Sequence, residues 1–565
     1  MSDSSYTGTI NDLLGSNSSY NNKLIVQEGN LVYVASEVSS QEKEWLGKLG
    51  IEEASDYYTV EFDSAGGTEI NSQTIKTGTL VKKPSNPIKT GHDFLGWYYL
   101  KQSGSEDNPT YTEIEFDFDT KITSNYSLYA KYTGDAVMMA RNENYAFWQE
   151  GYRTKITSIS FEQSDIIVPE SAIESWDIKA DTNCSEVKAY IETDDVGSGY
   201  NLKIISPYTI YANPNTHRCF MDFSQLITIN FDNFNTSKSN TMSSMFRNCS
   251  SIEILNVQNF STNNVTNMKE MFRECNNLQK LDLTYFNTGK TTNMQWMFYR
   301  CSNLTELTIS NFNTSSVKNT NGMFDSCKNL AQLDVTNFDT SNVIDMASMF
   351  SGCECLTQLD VSNFNTCNVL YMNSMFDGLK NLIQLDITNF DTTNVKSMAY
   401  MFQYCEKLEN LDLKNFNTSN VTYMHGMFKG DKNLKNINFK NFNTSNVTNM
   451  NSMFYGCLTI SNLDITSFNT ENVKNMSWMF YDCNNLVDLD LSSFDTNNVT
   501  TMYNMFSYCI KLTDMKLNNF NIDNVTNYNG MFSGIPTKVT ILTNSAMASW
   551  IAENFATYAS CVTII

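Results

Sequence analysis

Between residues 226 and 535, apolar and polar positions alternate in one pattern that repeats without insertion or deletion. A Met-Phe pair opens at Met245 and recurs every 26 residues through Met531, twelve times in all. Strict periodicity of this length marks units that cannot bury an apolar face alone and stack so that equivalent side chains form continuous columns. In the copy VTNMKEMFRECNNLQKLDLTYFNT, residues Met268, Met271, Phe272, Cys275 and Leu278 follow a spacing that predicts a short helix. Leu281, Asp282 and Leu283, followed by Phe286, predict a short strand running into a turn, and the Asn/Thr-rich stretch supplies corners and cap residues. The fold expected is therefore an α/β solenoid of twelve 26-residue leucine-rich-like repeats with protected ends.

The flanks lose this period. Residues 134–225 keep strand-like segments such as KITSISF and NLKIIS and are expected to cap the amino-terminal end of the stack. Residues 536–565, with Val539–Leu542, a helical stretch around Ala546–Phe555 and a last strand at Cys561–Ile565, are expected to close the other end. Residues 58–133 alternate in strand fashion around Gly pairs, with Trp97 and Phe118 as core, and residues 1–57 form a separate leading segment.

Within the repeats, the inward columns include Met271 and Phe272, Met349 and Phe350, and Met427 and Phe428. Of the 28 methionines, 22 lie in this motif, and their spacing beside Phe fits a packed core better than a soft-metal site. Nine of the fourteen cysteines follow the repeat Met by four residues, from Cys249 to Cys509. Stacked positions about 4.8 Å apart are too far for the Cβ separation of a disulfide, so a buried free-thiol ladder is expected. Cys353, Cys355 and Cys367 match no zinc spacing. The column is broken at Leu379, Asp431 and Ile535, and Asp431 suggests that this position is not sealed from water throughout. Thr320 and Tyr528 replace the Met three residues ahead of the pair.

Composition narrows the function. A formal net charge of -23, from 38 basic and 61 acidic side chains, argues against nucleic acid and against docking on anionic lipid. No apolar run is long enough to span a membrane, so no direct membrane insertion is expected. The opening MSDSSYTGTI lacks the regions of a secretory signal, so either the protein is not exported or a leader has been removed. His92, His217 and His425 lie in separate regions, and there is no nucleophile elbow, phosphate loop or HExxH sequence. The chain reads as a non-enzyme without cofactor or metal.

The exposed feature singled out is acidic. Asp282, Asp334, Asp360, Asp386, Asp412, Asp464 and Asp490 occupy one strand position between inward residues and so face out, with Thr308, Asn438 and Lys516 interrupting the row. Repulsion between like charges at ladder spacing would favour a cation such as calcium or a basic partner. The alternative is a row of hydrated carboxylates that keeps a strand face from aggregating. The corner Asn and Thr residues are expected to form hydrogen-bonded ladders, with carbohydrate recognition by these amides as the lesser reading.

The consensus L-x-x-L-D-x-x-x-F-[ND]-T-x-N-V-x-x-M-x-x-M-F-x-x-C, seen in LTQLDVSNFNTCNVLYMNSMF, resembles the BspA-like repeat of bacterial surface proteins and mycoplasma lipoproteins. The lead-in AFWQEGYRTKITSISF and the ESWDIKA segment look like that family's amino-terminal cap. The resemblance implies a fold related to leucine-rich repeats and a surface or secreted protein linked to adhesion. Residues 58–132 are similar to the Listeria–Bacteroides repeat of cell-wall proteins, on Val60, Phe62, Gly66–Gly67, Gly78, Pro84, Pro87, Gly91, Phe94, Gly96–Trp97, Phe116, Phe118 and Leu128–Tyr129–Ala130. His92 and Tyr132 stand where that family has Tyr and Trp, and the resemblance implies a small β-grasp module. Residues 1–57, with NKLIVQEGNLVYVA and EKEWLGKLGI, resemble the segment after a membrane-anchored leader. Together these imply an extracellular, cell-surface location and a host, matrix or other surface component as partner. A structural stalk that displays other modules is the alternative.

Overall fold

The computed structural model describes residues 24–27, 30–33, 52–53, 57–89, 92–105, 108–132, 134–141, 147–148 and 151–565, and the stretch EKEWLGKLGI lies outside them. The chain divides into two compact units, Met1–Asp135 and Ala136–Ile565.

In the first unit, β1 (Leu24–Gln27) and β2 (Asn30–Tyr33) pair antiparallel and β3 (Glu52–Glu53) lies parallel to β2. A second sheet is built from β4 (Tyr57–Asp63), β5 (Gln73–Lys76), β6 (Phe94–Ser105), β7 (Asn108–Glu115) and β8 (Tyr126–Tyr132) in the order β5-β4-β8-β6-β7, with β4 and β8 parallel and the other pairs antiparallel. Alternation along β4 sends Val60 and Phe62 into a core with Trp97, Phe116 and Leu128, and half-buried Phe118 stacks on Phe62. Tyr132 is buried and its hydroxyl donates to the Ser64 carbonyl. Only a glycine fits at Gly67, because a Cβ there would collide with that hydroxyl.

The second unit begins with a sheet of β10 (Ile156–Gln163), β11 (Glu174–Asp177), β12 (Lys188–Thr193), β13 (Tyr200–Ser206) and β15 (Thr228–Asn230), ordered β11-β12-β13-β10-β15. Beside it, β9 (Ala136–Val137), β14 (Ile210–Tyr211) and β16 (Phe234–Asn235) run parallel. The repeats follow, each paired with the copy 26 residues on.

The expected helix is absent. Residues 268–278 form a succession of tight turns, because Glu270 and Glu274 have φ of 58° and 61°, in the left-handed region that an α-helix excludes. The amides of Met271, Arg273 and Cys275 bond back three residues, to Met268, Glu270 and Phe272. Those of Met268, Glu270, Phe272 and Glu274 instead cross to carbonyls of Asn293, Gln295, Met297 and Tyr299 in the next copy. A turn that closes every three residues buries the same positions as a helix, which is why the apolar spacing misled. The α/β expectation is corrected accordingly: the chain is a repeat protein made mostly of strands and turns with few helices. Among the described residues the one α-helix is Ser545–Asn554, capped by the Asn544 side chain, which accepts from the Met547 amide at 2.8 Å.

This turn column runs unbroken. Parallel bridges link Asn215, Thr241, Asn267 and so on through Thr501 to Asn527. The same left-handed pair occurs one interval ahead of the first Met-Phe copy, at Arg218 and Asp222, where Cys219-Phe220 stands for Met-Phe and the Phe220 amide donates to the Met245 carbonyl. Met271, Phe272, Met349, Phe350, Met427 and Phe428 are fully buried, and successive repeat Phe rings stack at 5.5–6.0 Å, as in Phe298–Phe324 and Phe350–Phe376.

The strand column is less continuous. β17 (Lys280–Asp282) pairs with β18 (Glu306–Thr308), and β19 (Asn410–Asp412) with β20 (Asn436–Asn438). β21 (Asp488–Asp490), β22 (Asp514–Leu517), β23 (Thr540–Thr543) and β24 (Val562–Ile564) form a parallel sheet at the carboxy-terminal end. Between Thr308 and Asn410 the equivalent residues Gln332–Asp334, Gln358–Asp360 and Gln384–Asp386 form no ladder. The second Phe column is wider than the first in unpaired and paired copies alike, with Phe312–Phe338 at 6.5 Å and Phe416–Phe442 at 6.4 Å. Where the ladder lapses, side chains tie the copies instead, as Asn337 does to the Ser310 carbonyl and Asn363 to that of Thr336.

Corner residues complete the frame. Buried Thr262, Thr288 and Thr314 donate to carbonyls of Asn287, Asn313 and Asp339 in the next copy at 2.9 Å. Asn342, Asn368 and Asn394 donate back to carbonyls of Ser315, Ser341 and Cys367. Hydrogen bonds of this kind satisfy turn groups that the stack removes from water.

Candidate functional site

Two outward surfaces of the repeats carry distinct chemistry. On the strand side, Asp282, Asp334, Asp360, Asp386 and Asp464 are exposed and Asp412 and Asp490 half-exposed. Each carboxylate is engaged locally. Asp334, Asp360 and Asp386 accept from the amides of Thr336, Ser362 and Thr388 at 3.0 Å and from the hydroxyls of the same residues at 2.6–2.7 Å. Asp282 and Asp464 do the same with Thr284 and Thr466. Asp412 is held by Lys414 and Asn438, and Asp490 by Ser492 and Lys516. These bonds hold Asp282, Asp334, Asp360, Asp386, Asp412 and Asp490 below the usual carboxylate range. The row closes the turn after each strand, and two of its interrupting residues, Asn438 and Lys516, bond to the Asp of the preceding copy. Where the ladder lapses, Thr357–Asp360, Ile383, Gln384 and Asp386 line an open cleft of about 450 Å³.

The turn side differs. Of the thirteen Tyr and Trp residues between 226 and 535, all but Tyr285 fall in the turn segment around the Met-Phe pairs. The left-handed backbone places successive side chains outward there, and rings in one copy lie along the stack against the next. The Trp296, Tyr400 and Tyr404 rings fill the space that a Cβ would take at Gly322, Gly426 and Gly430. Tyr400 meets His425 edge to face at 4.8 Å, Tyr455 stacks on Tyr481 at 4.8 Å, and Trp478 meets Tyr503 at 5.0 Å. Lys429 lies over Tyr404 and Tyr455. Further toward the amino terminus, burial raises Asp325 and Asp377, and burial together with Asp325 pushes Asp377 up to about 7. This aromatic run was missed in the sequence, although aligning the copies on Met-Phe makes it visible.

The remaining candidates separate in space. All fourteen cysteines are free. The nine column thiols are buried, and each donates to the carbonyl of a Phe 29 residues earlier, as Cys301 does to Phe272 and Cys457 to Phe428, both at 3.1 Å. Asp431 does not open this column to water: it is fully buried, one oxygen accepting from the Cys405 amide at 2.8 Å and the other without a partner. Burial pushes its carboxyl well above the ordinary range. His217 is buried, with Nδ1 3.1 Å from the Ser243 carbonyl, and is pushed down to about 3 by burial and Arg218. Among the described residues no group of three or more His, Cys, Asp or Glu is disposed to hold a metal, and no helix is long and apolar enough to cross a membrane.

A family model described as Mycoplasma protein of unknown function, DUF285, matches residues 215–333, 302–385, 321–438, 375–485 and 431–550, overlapping spans that cover more than half of the chain. The model of the Listeria–Bacteroides repeat domain matches residues 58–131. A protein called "Putative Gly-rich membrane protein" from Evansella cellulosilytica is 28% identical over 151 residues, 24% of this chain and 16% of that protein. A "Putative membrane protein" of the same organism is 35% identical over 77 residues, 14% of this chain and 10% of that protein. The chain therefore spans less than a fifth of the curated relatives it matches. A chain from the Toll–Spatzle complex of Drosophila aligns with 71% of this chain and 72% of its own length, at 10% identity and a TM-score of 0.13, which carries nothing about the fold.

Proposed function

The chain belongs to the family described as Mycoplasma protein of unknown function, DUF285, and from that membership we propose a non-enzymatic bacterial surface protein whose repeats bind a component of a host, matrix or neighbouring surface. In this reading the twelve copies form one leucine-rich-like solenoid over 226–535, capped by 134–225 and 536–565. The 58–133 module, of β-grasp type, and the 1–57 segment precede it. The protein works outside the cell.

The observation that carries binding is the concentration of Tyr and Trp on the turn side, where twelve of the thirteen in the repeats fall and where Tyr371, Tyr423 and Tyr508 are exposed. Tyr and Trp give large contact area for little lost side-chain freedom, and they dominate the energetics of recognition surfaces. The acidic row is the weaker candidate face, because its carboxylates already close the turns beside them. The uninterrupted 26-residue spacing also suits a stalk that holds other modules away from the envelope.

The test is binding of the full chain to immobilised cells and matrix proteins. Replacing Tyr400, Tyr404 and Trp478 by Ser is expected to weaken saturable binding at least about tenfold, a loss typical of recognition hot spots. Replacing Asp334, Asp360 and Asp386 by Asn is expected to leave it unchanged. No binding across a broad panel refutes adhesion, and unchanged function after deletion of two whole copies favours the stalk.

A further inference from the structure

The chain has six arginines, and all lie between 141 and 300: Arg141, Arg153, Arg218, Arg247, Arg273 and Arg300. The fold gathers them at the amino-terminal end of the turn column. Arg141 and Arg153 lie over the Trp148 ring at 4.8 and 5.8 Å. Arg141 donates to the Arg218 carbonyl at 2.8 Å. One interval along, Arg247 reaches Glu270 at 2.8 Å, and Arg273 sits over Trp296 and Tyr299. Arg300 lies over the Tyr299 ring at 5.0 Å, and Lys269 lies over Trp296.

Four acids face these cations: Asp222 near Arg141 and Arg153, Glu270 between Arg247 and Arg273, Glu274 between Arg273 and Arg300, and Asp325 near Arg300. The six arginines still outnumber them. Burial first, and then the nearby Arg153 and Arg218 guanidinium groups, push Arg141 down to about 10. Elsewhere the chain uses lysine for positive charge and is acidic. Guanidinium groups offer a planar fork that pairs with the two oxygens of a carboxylate or sulfate, which a lysine ammonium does not.

From this arrangement we infer that the arginine–aromatic patch between Trp148 and Arg300 binds the sulfate or carboxylate groups of a linear anionic glycan. Its length follows from three intervals of about 5 Å, or about 15 Å in all, suited to a few sugar units. A narrow chain contacts this strip alone, whereas a membrane or a broad acidic protein would also meet the negative surface of the remaining copies. The patch lies apart from the aromatic run at 400–508, so the two surfaces fail or succeed independently.

The test titrates the full chain by intrinsic tryptophan fluorescence with heparin-derived oligosaccharides, oligogalacturonates, neutral dextran and phosphatidylserine vesicles. Expected is saturable binding of at least one anionic glycan but not of dextran, weakened at least about tenfold between about 50 and about 300 mM salt. The variant R153Q/R273Q/R300Q is expected to lose at least about tenfold in affinity. The charge-matched variant K432Q/K435Q/K511Q is expected to keep wild-type affinity. If the triple arginine variant fails to fold, Arg300→Gln alone serves, since that side chain is 58% exposed. Absence of glycan binding, binding of vesicles only, or equal losses in the arginine and lysine variants each overturns the inference.

Discussion

Replacing Asp431 by Cys, the residue that occupies this column in nine copies, is expected to stabilise the protein, and more so as pH rises. The structure sets the terms. Asp431 is fully buried and one of its oxygens has no partner, so its neutral form already carries a cost of about 1–3 kcal/mol for an unmet polar group. Its folded pKa is raised well above the unfolded value, by burial first. Between those two values the folded state holds a proton that the unfolded state has released. Stability therefore falls by about 1.4 kcal/mol for each pH unit above about 4, until the folded carboxyl ionises. A thiol at 431 removes both costs and is placed to donate to the Phe402 carbonyl, as its column neighbours do to theirs. Guanidinium unfolding of the wild type and of Asp431→Cys, followed by circular dichroism in reductant from pH 4 to pH 8, measures the difference. The gap is expected to widen with pH. Asp431→Leu, the residue that the column carries at 379, is expected to behave likewise. A gap of the same size at both ends of the range, or a wild type that gains stability relative to the variants above pH 5, refutes the reasoning.

The carboxylates on the strand side titrate with the opposite sign. Asp334, Asp360 and Asp386 are held below their unfolded values, so their contribution is present above about pH 4 and lost as pH falls through the folded pKa; a triple Asn variant is expected to show a shallower acid limb in its unfolding curve. Gly426→Ala is expected to destabilise by about 1–3 kcal/mol in thermal melts, because φ is +62° and a Cβ would lie 2.3 Å from the Tyr400 ring. Adding Tyr400→Ala should recover the steric part of that loss and leave the backbone part. In the native protein a thiol reagent is expected to modify half-buried Cys184, Cys355, Cys367 and Cys561 quickly and the column thiols only after unfolding, as counted by mass spectrometry.

The columns were legible because stacking makes each copy the template of the next, so that residues such as Met271 and Phe272 recur with their burial. What the apolar spacing could not distinguish was a helix from a run of turns, since both return to the core about every three residues. A separate signal existed. Glycine recurs one residue before the Met at 322, 426 and 530, and three residues after it at 352, 378, 430, 456 and 534, where the backbone is left-handed. The acidic row stands outward, and the Thr and Ser residues two positions on, which hold its Oδ1 atoms, carry no mark in the apolar pattern. The opening of the strand ladder beside Leu359 and Leu385 had no local mark, because those copies carry the same Leu-Asp pattern as paired ones. The arginine patch was obscured by a chain-wide charge of -23, an average that says nothing about six residues placed side by side.

The two sides of the stack are fastened by different means. Along the turns each copy is tied to the next by four backbone amides, whereas across the middle strands the ties are side-chain amides such as Asn337, Asn363 and Asn389. Substitution can therefore cut the strand-side ties one at a time, while the turn-side ties survive any change of side chain that keeps the backbone left-handed.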